Sequence, residues 1–330
     1  IVDRDERMAA LRDRVQAEAD RLGLVVEEDP DLFDEVCDLS EWPEPIVCEI
    51  PDEALSLPEA IIITPMKVHQ RYIPLRVKDG ALSKHFLAVA NGEHDDEGRR
   101  IIKTGNERVL NARLRDARYF WDTDIKTPLA AFAERLTNVM FHQDLGTVAH
   151  KVARVRRLYA ALADALPPVD RDAMEQVIGL MKADLTTSMV FEFDSLEGAV
   201  GMLYAKEQGV PTEIADAILE HRLPRRAGDD MPQGDLGRAA GILDRLDTLA
   251  GYFGIGVPVK GTSDPFGLRR NALALIALIE AAGIDADLGD LSMAALRNYG
   301  DLVTDPEGAC ERLVGFLLSL IHISEPTRPY

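Results

Sequence analysis

Cysteine is scarce in this sequence: Cys37, Cys48 and Cys310 are its only three among 330 residues. Three scattered thiols cannot build a disulfide framework. None lies in a CxxC pair, which excludes zinc ribbons and dithiol redox motifs. This usage reads as that of a reducing, cytoplasmic setting. Long apolar runs are missing too. The longest, Leu313 to Ile323, is far shorter than the ~20 residues a membrane-spanning helix needs. No cationic N-terminal stretch leads into an apolar one, so no secretory signal is read. Basic charge is in short supply, with 37 Lys and Arg against 57 Asp and Glu and a net charge of −20. Neither a membrane nor DNA is expected as a partner. Motifs of metalloprotease (HExxH) and hydrolase (GxSxG) type are absent as well. GIGVPVKGT at 254–262 is no phosphate loop, because Lys260 precedes Gly261 and a proline interrupts the amides.

The charge deficit is uneven. Residues 1–60 hold 19 acids and 5 arginines, a net of −14, whereas Arg99 to Arg118 hold seven Lys or Arg and two acids. Such asymmetry points to a polyanionic partner on the basic stretch.

Residues 3–22 read as a charged helix ended by Gly23, LGLVVEEDPD as a short strand and turn, and Leu32 to Leu39 as a second helix. WPEP, Trp42 to Pro45, reads as a breaker. EAIIITP, HQRYIPLRV and HFLAVANGEHDD are β-branched and aromatic runs that predict a small sheet from about Ala60 to Gly92. Asn106 is expected to N-cap a helix with Glu107 in its first turn. On that helix Leu110, Leu114, Ala117 and Trp121 share one side, and Arg108, Asn111, Arg115 and Arg118 share a polar one. After Thr127 strand signals nearly vanish. Helical periodicity recurs at 128–140, 147–165, 171–191, 196–208, 212–221, 235–253 and 266–282. The expected fold is mainly α, with an N-terminal α+β part in which a helix docks on a small sheet.

Two constellations carry chemistry. The first is the row Arg108, Arg115 and Arg118, since guanidinium groups bond phosphate oxygens bidentately and a row of them tracks a phosphate backbone. The same row also fits a solvated face, or one paired with the acidic N-terminal segment. RLPRR, with Arg222, Arg225 and Arg226, is a second basic candidate, as are Arg154, Arg156, Arg157, Arg269 and Arg270; each could equally be a local salt-bridge donor. In HQRY, strand alternation would put His69 and Tyr72 on opposite faces, one in the core and one free to stack on RNA. DPF at 264–266 reads as an N-cap, a first-turn proline and a core phenylalanine.

The second constellation is His150, Asp184, His221 and Asp244, each on a separate expected helix. Their order and spacing resemble the HD superfamily of helical, metal-dependent phosphohydrolases, in which such residues converge on metals that activate water. The adjacent His-Asp pair is broken here by Ala183, and His150 falls on the polar side of its helix. No metal ligand set is therefore assigned; the four residues are read as the remnant of a site. Asp247 falls inside the apolar stripe of Leu243, Leu246 and Ala250 and must find a hydrogen-bonding partner.

MKVHQRYIPL, FLAVANGEHD, GNERVLNARLRDARYFWDTD, KTPL, KADLTTSMVFEFDSLEGAVGMLYA, EHRLPRRAGDDMP, DRLDTLAGYFGIG and GTSDPFGLRR follow one another in this order. The series closely resembles the beta subunit of bacterial glycyl-tRNA synthetase of the heterotetrameric kind, strongly over Glu59 to Asn271 and more weakly over 1–58 and 272–318. The resemblance implies a subunit that binds tRNA(Gly) in an alpha2beta2 enzyme. ATP, magnesium and glycine would belong to the alpha subunit, and no cofactor to this chain. It also implies an HD-like helical fold without hydrolysis. The expected segments are 1–58, acidic and mixed α/β; 59–126, sheet plus arginine-rich helix; 127–285, HD-like; and 286–318, the start of further helices. The start at Ile1 is expected to mark a fragment. SLIHISEPTRPY at 319–330 looks like translated adapter sequence and is expected to be a non-native tail. The competing readings are an HD-type phosphohydrolase and an assembly scaffold without RNA contact.

Overall fold

The computed structural model describes residues 1–259 and 264–324. The turn read at GIGVPVKGT and the tail read at 319–330 therefore fall partly outside the described residues. The chain divides into two units, residues 1–124 with 192–196, and residues 125–191 with 197–330. Among the described residues no helix is long and apolar enough to cross a membrane.

The first unit opens with α1 (Arg4–Leu22), capped by the Asp3 side chain on the Glu6 amide and stopped at Gly23, whose φ of 67° is the left-handed conformation glycine tolerates. α2 (Pro30–Leu39) is capped by Asp29 in the same way. Four antiparallel strands follow the order β1-β3-β4-β2: β1 (Val25–Val26), β2 (Pro43–Glu49), β3 (Ile73–Arg76) and β4 (Leu82–Asn91). Leu11, Val15 and Ala19 of α1 and Phe33 and Val36 of α2 pack with Ile73, Leu75 and Leu87 of the sheet. α3 (Glu59–Thr64) and α4 (Asp96–Asp124) complete the unit, with α4 against β2 and β4.

Three expectations are corrected here. WPEP is no breaker, because Pro43 and Pro45 lie in β2, an edge strand pairing only with β4, where a missing N–H can face outward. EAIIIT is helical, not a strand: it starts after Pro58 and buries Ile61 and Ile62, and a short apolar run has no periodicity to separate the two states. Asn106 does not start a helix. α4 begins ten residues earlier, where the Asp95 side chain accepts from the Gly98 amide at 2.8 Å. Asn106 lies mid-helix instead, its side-chain amide donating to Ile102 O and its Oδ1 accepting from the buried Tyr72 hydroxyl at 2.8 Å. Burial pushes that phenol up to about 12. Tyr72 is the core member of HQRY, and the His69 ring packs edge-on to Phe193.

Among the described residues the second unit is helical apart from turns and a two-stranded ladder, β5 (Met140–His142) with β6 (Gly146–Thr147). Its helices are α5 (Leu129–Glu134), α6 (Val148–Leu162), α7 (Arg171–Leu180), α8 (Ser188–Glu192, whose last residue belongs to the first unit), α9 (Ala199–Glu207), α10 (Thr212–Glu220), α11 (Asp235–Gly254), α12 (Leu268–Ala281), α13 (Leu288–Arg297) and α14 (Pro306–Ser324). The helix expected at 266–282 starts at Leu268, where the Asp264 carboxylate caps the Leu268 and Arg269 amides at 2.6 and 2.8 Å. Phe266 is half exposed and lies beside Tyr252, so it does not anchor the core as expected. α11 is the axis: fifteen of its twenty residues are buried, and α6, α7, α10, α12, α13 and α14 all pack on it. A helix apolar on one stripe could not be surrounded in this way. Ala239, Ala240, Gly241, Ala250 and Gly251 let neighbours approach closely.

At Gly251 a side chain would meet the Tyr299 hydroxyl oxygen at 2.3 Å and its ring carbon Cζ at 2.7 Å. Tyr299 is buried and its hydroxyl donates to Asp247 O at 2.7 Å, so it cannot step aside freely. Gly251→Ala is expected to lower unfolding stability by roughly 1–3 kcal/mol, the cost of overpacking. Urea denaturation followed by circular dichroism measures it.

Candidate functional site

The arginines of α4 divide into those held internally and those facing solvent. Arg118 donates to Glu53 O at 3.0 Å and to Ser56 Oγ, clamping the turn that precedes α3. It is an intramolecular brace. Arg99 and His94 both sit on the buried Glu44 carboxylate, Arg100 on Glu97, Lys103 on Glu107, and Arg113 on Glu192 at 3.1 Å. Arg108 and Arg115 are exposed, and Arg115 makes only a 3.2 Å bond to Asn111, one turn back. The structure thus leaves two of the three predicted arginines available on one face.

The other basic candidates are mostly engaged. Arg154 is buried, Arg156 pairs with Glu175 at 2.6 Å, and Arg157 donates to Asn298 at 2.9 Å. Arg222 pairs with Glu197, and Arg225 with Asp229 at 3.0 Å, while Arg226 is exposed.

The predicted HD remnant is assembled only in part. His150 is excluded from it: the residue stands exposed in the first turn of α6, where its Nδ1 lies 3.1 Å from the Thr147 amide in a capping box. The apolar stripe of α6 turns the other way and carries Lys151 inward. Asp184 and His221 are buried, and Asp244 is partly buried. Asp184 Oδ2 accepts from the Gly198 and Gly201 amides at 2.6 and 3.0 Å, capping α9 from outside. His221 Nδ1 lies 2.6 Å from Ile218 O, so Nδ1 carries the proton and Nε2 presents a lone pair.

Asp244 faces two ammonium groups, Lys151 Nζ at 3.2 Å and Lys182 Nζ at 3.1 Å. Lys151 also reaches Asp247 at 3.2 Å and Thr248 Oγ1 at 2.7 Å. Asp247 has the partner its position demanded, Arg154, whose Nε and Nη2 lie 2.8 and 3.2 Å from its two oxygens. Arg245, between them, points to the end of α10. Its Nη1 donates to His221 O and Gly241 O, and its Nη2 to the carbonyls of Arg222, Leu223 and Pro224, all at 2.7–3.1 Å. One guanidinium thereby satisfies the backbone carbonyls of the 221–224 turn.

The charges act on one another strongly. Burial alone would raise Asp244, but Lys151 and Lys182 hold its carboxyl well below the usual range. Burial lowers Lys182 to about 8 even though Asp244 opposes it, and lowers Arg245 to about 10. Burial, with Lys182 adding to it, pushes His221 down to about 3, and burial raises Asp184. The donor set does not fit a divalent cation: ammonium groups already occupy Asp244, Asp184 is committed to two amides, and His150 lies elsewhere. Among the described residues, no three His, Cys, Asp or Glu stand close enough together to hold a metal.

Lys151, Lys182 and Arg245 are the residues that sequence reasoning missed. Lys151 stands four residues before Val155 and seven before Leu158, in the same apolar stripe, which is the signal that identified Asp247. Lys182 and Arg245 gave a weaker signal, each beside a singled-out aspartate or histidine motif.

His221 enters the folded protein neutral, with its pKa lowered from 6.5 to about 3. The unfolded chain therefore binds more protons between pH 6.5 and 3, so stability falls as the pH is lowered through that window. The contribution approaches ~1.4 kcal/mol per pH unit. Replacing His221 with Gln is expected to flatten the dependence of unfolding free energy on pH between 6.5 and 4.5 by close to one proton. Denaturant titrations at several pH values test this.

A model of the family described as glycyl-tRNA synthetase beta subunit matches residues 1–322. The glycine–tRNA ligase beta subunit of Desulfitobacterium hafniense (strain Y51) is 41% identical over 303 residues, which cover 91% of this chain and 44% of the relative. That of Clostridioides difficile (strain 630) is 40% identical over 319 residues, covering 96% and 46%, and that of Paracidovorax citrulli (strain AAC00-1) 40% over 321 residues, covering 94% and 45%. The chain spans less than half the length of these curated relatives. With a match that runs through both units, it belongs to the glycyl-tRNA synthetase beta subunit family.

Proposed function

We propose that this chain is a tRNA-binding part of a glycine–tRNA ligase beta subunit, supporting glycylation of tRNA(Gly) in the cytoplasm. The observation that carries the reading is the family match over residues 1–322. In this reading ATP, magnesium and the reacting glycine sit on a partner alpha subunit, and the complete assembly is alpha2beta2. The segments 59–126 and 127–285 supply an RNA face and a helical support.

Physical features favour this over hydrolysis. In the helical unit Lys151 and Lys182 supply the positive charge that a metal would bring to Asp244, so its carboxylate is neutralised without a Lewis acid that could activate water. In the first unit, Arg108 and Arg115 stand free on a chain of net charge −20, where an acidic remainder weakens non-specific attraction to RNA. Arg225 and Arg226 are further exposed candidates. Arg118 acts within the chain, and Arg222 pairs with Glu197.

A salt titration of tRNA binding separates the alternatives. The double variant Arg108→Ala, Arg115→Ala is expected to bind more weakly and to flatten the slope of log affinity against log salt by roughly 1.4 to 1.8 units. An unchanged slope with unchanged affinity would remove RNA contact from α4 and favour a scaffold role. Phosphohydrolase activity with manganese, abolished by Asp184→Asn or Asp244→Asn, would restore the hydrolase reading.

A further inference from the structure

Within the helical unit a cavity of about 290 Å³ opens where α10, α11 and α12 meet, close to the lower end of volumes usual for small-molecule sites, ~300 Å³. Five cationic side chains line it: Lys182, Arg222, Arg225, Arg245 and Arg270. Only two carboxylates do, Asp244 and Glu197. Both are engaged, Asp244 by two lysines and Glu197 by Arg222. Arg225 is balanced by Asp229. Arg245 has carbonyls around it and no carboxylate in hydrogen-bond reach, and Arg270 stands exposed at the rim. The wall therefore carries more positive charge than it neutralises, and burial already lowers Arg222 and Arg245 against their charged forms.

Four buried polar atoms of the lining residues have no hydrogen-bond partner among the described residues, and two of them, Arg222 Nη1 and Asp244 Oδ1, are held in ion pairs; the other two are not. One is a donor, Arg245 Nε, and the other an acceptor, His221 Nε2. A ligand that satisfies both brings an acceptor oxygen to Arg245 Nε and a hydroxyl proton to His221 Nε2, and the surplus positive charge of the wall favours an anion. A phosphate monoester supplies both as its monoanion, the form that prevails below its second pKa of ~6. Halide and carboxylate ions offer no such hydroxyl. At the mouth, half-exposed Phe266 presents an aromatic surface beside the basic rim. Aromatic rings of this kind accept a nucleobase by stacking.

The geometry points to a binding site for the phosphate end of a small nucleotide, separate from the RNA face proposed on α4 and independent of whether that face binds RNA. The phosphate reaches inward to Arg245 and His221, Arg222 and Arg270 bracket it, and Phe266 covers the nucleoside. A terminal phosphate is the part that enters, because its oxygens are not tied to a continuing chain. No bond is made or broken in this site.

Equilibrium dialysis of the whole chain with ADP and inorganic pyrophosphate as probes, at constant ionic strength, tests the assignment. One saturable site for each probe is expected. Arg270→Ala at the rim, and separately Arg222→Gln, should each weaken both probes about tenfold, in line with the loss of a charge-assisted contact. Phe266→Ala should weaken ADP and leave pyrophosphate unchanged. Circular dichroism of each variant identifies any that fails to fold, and Arg270→Ala, at an exposed position, is the decisive one. The proposal is overturned if neither probe saturates at millimolar concentration, or if folded Arg270→Ala binds both probes like the wild type. It is also overturned if an RNA oligonucleotide without a terminal phosphate displaces pyrophosphate as well as one that carries it. Equal loss of both probes in Phe266→Ala would overturn the nucleoside assignment.

Discussion

Lys151 and Lys182 place two ammonium groups within 3.2 Å of the Asp244 carboxylate in the interior of the helical unit. A carboxylate buried without such partners would cost several kcal/mol, and so would either lysine alone. The packing around α11 follows from this mutual dependence. Lys151 joins α6 to α11, and Lys182 joins the turn after α7 to it. One step along, Arg154 and Asp247 form a second pair, with the guanidinium 4.2 Å above the Tyr299 ring and the Tyr299 hydroxyl on Asp247 O. Arg245 ties the end of α10 to the same helix. A core that buries this much charge tolerates few rearrangements, because each charge is satisfied from a different element.

The sequence showed where helices run better than it showed what their polar residues do. α1, α10 and α11 fall within a residue or two of their expected spans, because each has clear periodicity and a recognisable stop. EAIIIT and WPEP were misread for opposite reasons. The first is an apolar run with no period to read, and the second is a proline-rich edge strand whose position in the sheet depends on β4, where Pro43 lies opposite Asn91 and Pro45 opposite Val89. Asn106 has the chemistry of a cap but sits in mid-helix because Tyr72 uses its oxygen, a tertiary contact that local rules do not contain. Asp247 was legible as a buried polar residue needing a partner. Lys151 obeys the same logic, yet His150 beside it, matching a familiar spacing, drew attention to the wrong side of α6.

Acidity and arginine content are reconciled by pairing. Most basic residues of α4 serve the fold: Arg99 on Glu44, Arg113 on Glu192, Arg118 on the 53–56 turn. Arg108 and Arg115 remain outward, a much smaller basic face than the composition of 99–118 suggests. In the reading proposed above such a face has to be local, since a broad cationic surface would attract any polyanion. Membership of the glycyl-tRNA synthetase beta subunit family fits a chain whose HD-like constellation keeps its aspartates and one histidine but fills their surroundings with lysine.

That lysine, not metal, neutralises the Asp244 carboxylate of α11 is tested most directly by thermal unfolding with metal analysis. The wild-type chain is expected to unfold at the same temperature after exhaustive EDTA treatment as in millimolar manganese, with no stoichiometric metal retained. The Lys182→Met variant, in which Asp244 keeps only Lys151, should lose roughly 1–3 kcal/mol, the cost of a lost hydrogen bond to a charged group. Stoichiometric manganese that stabilises the wild type and is lost in Asp244→Asn would contradict the account.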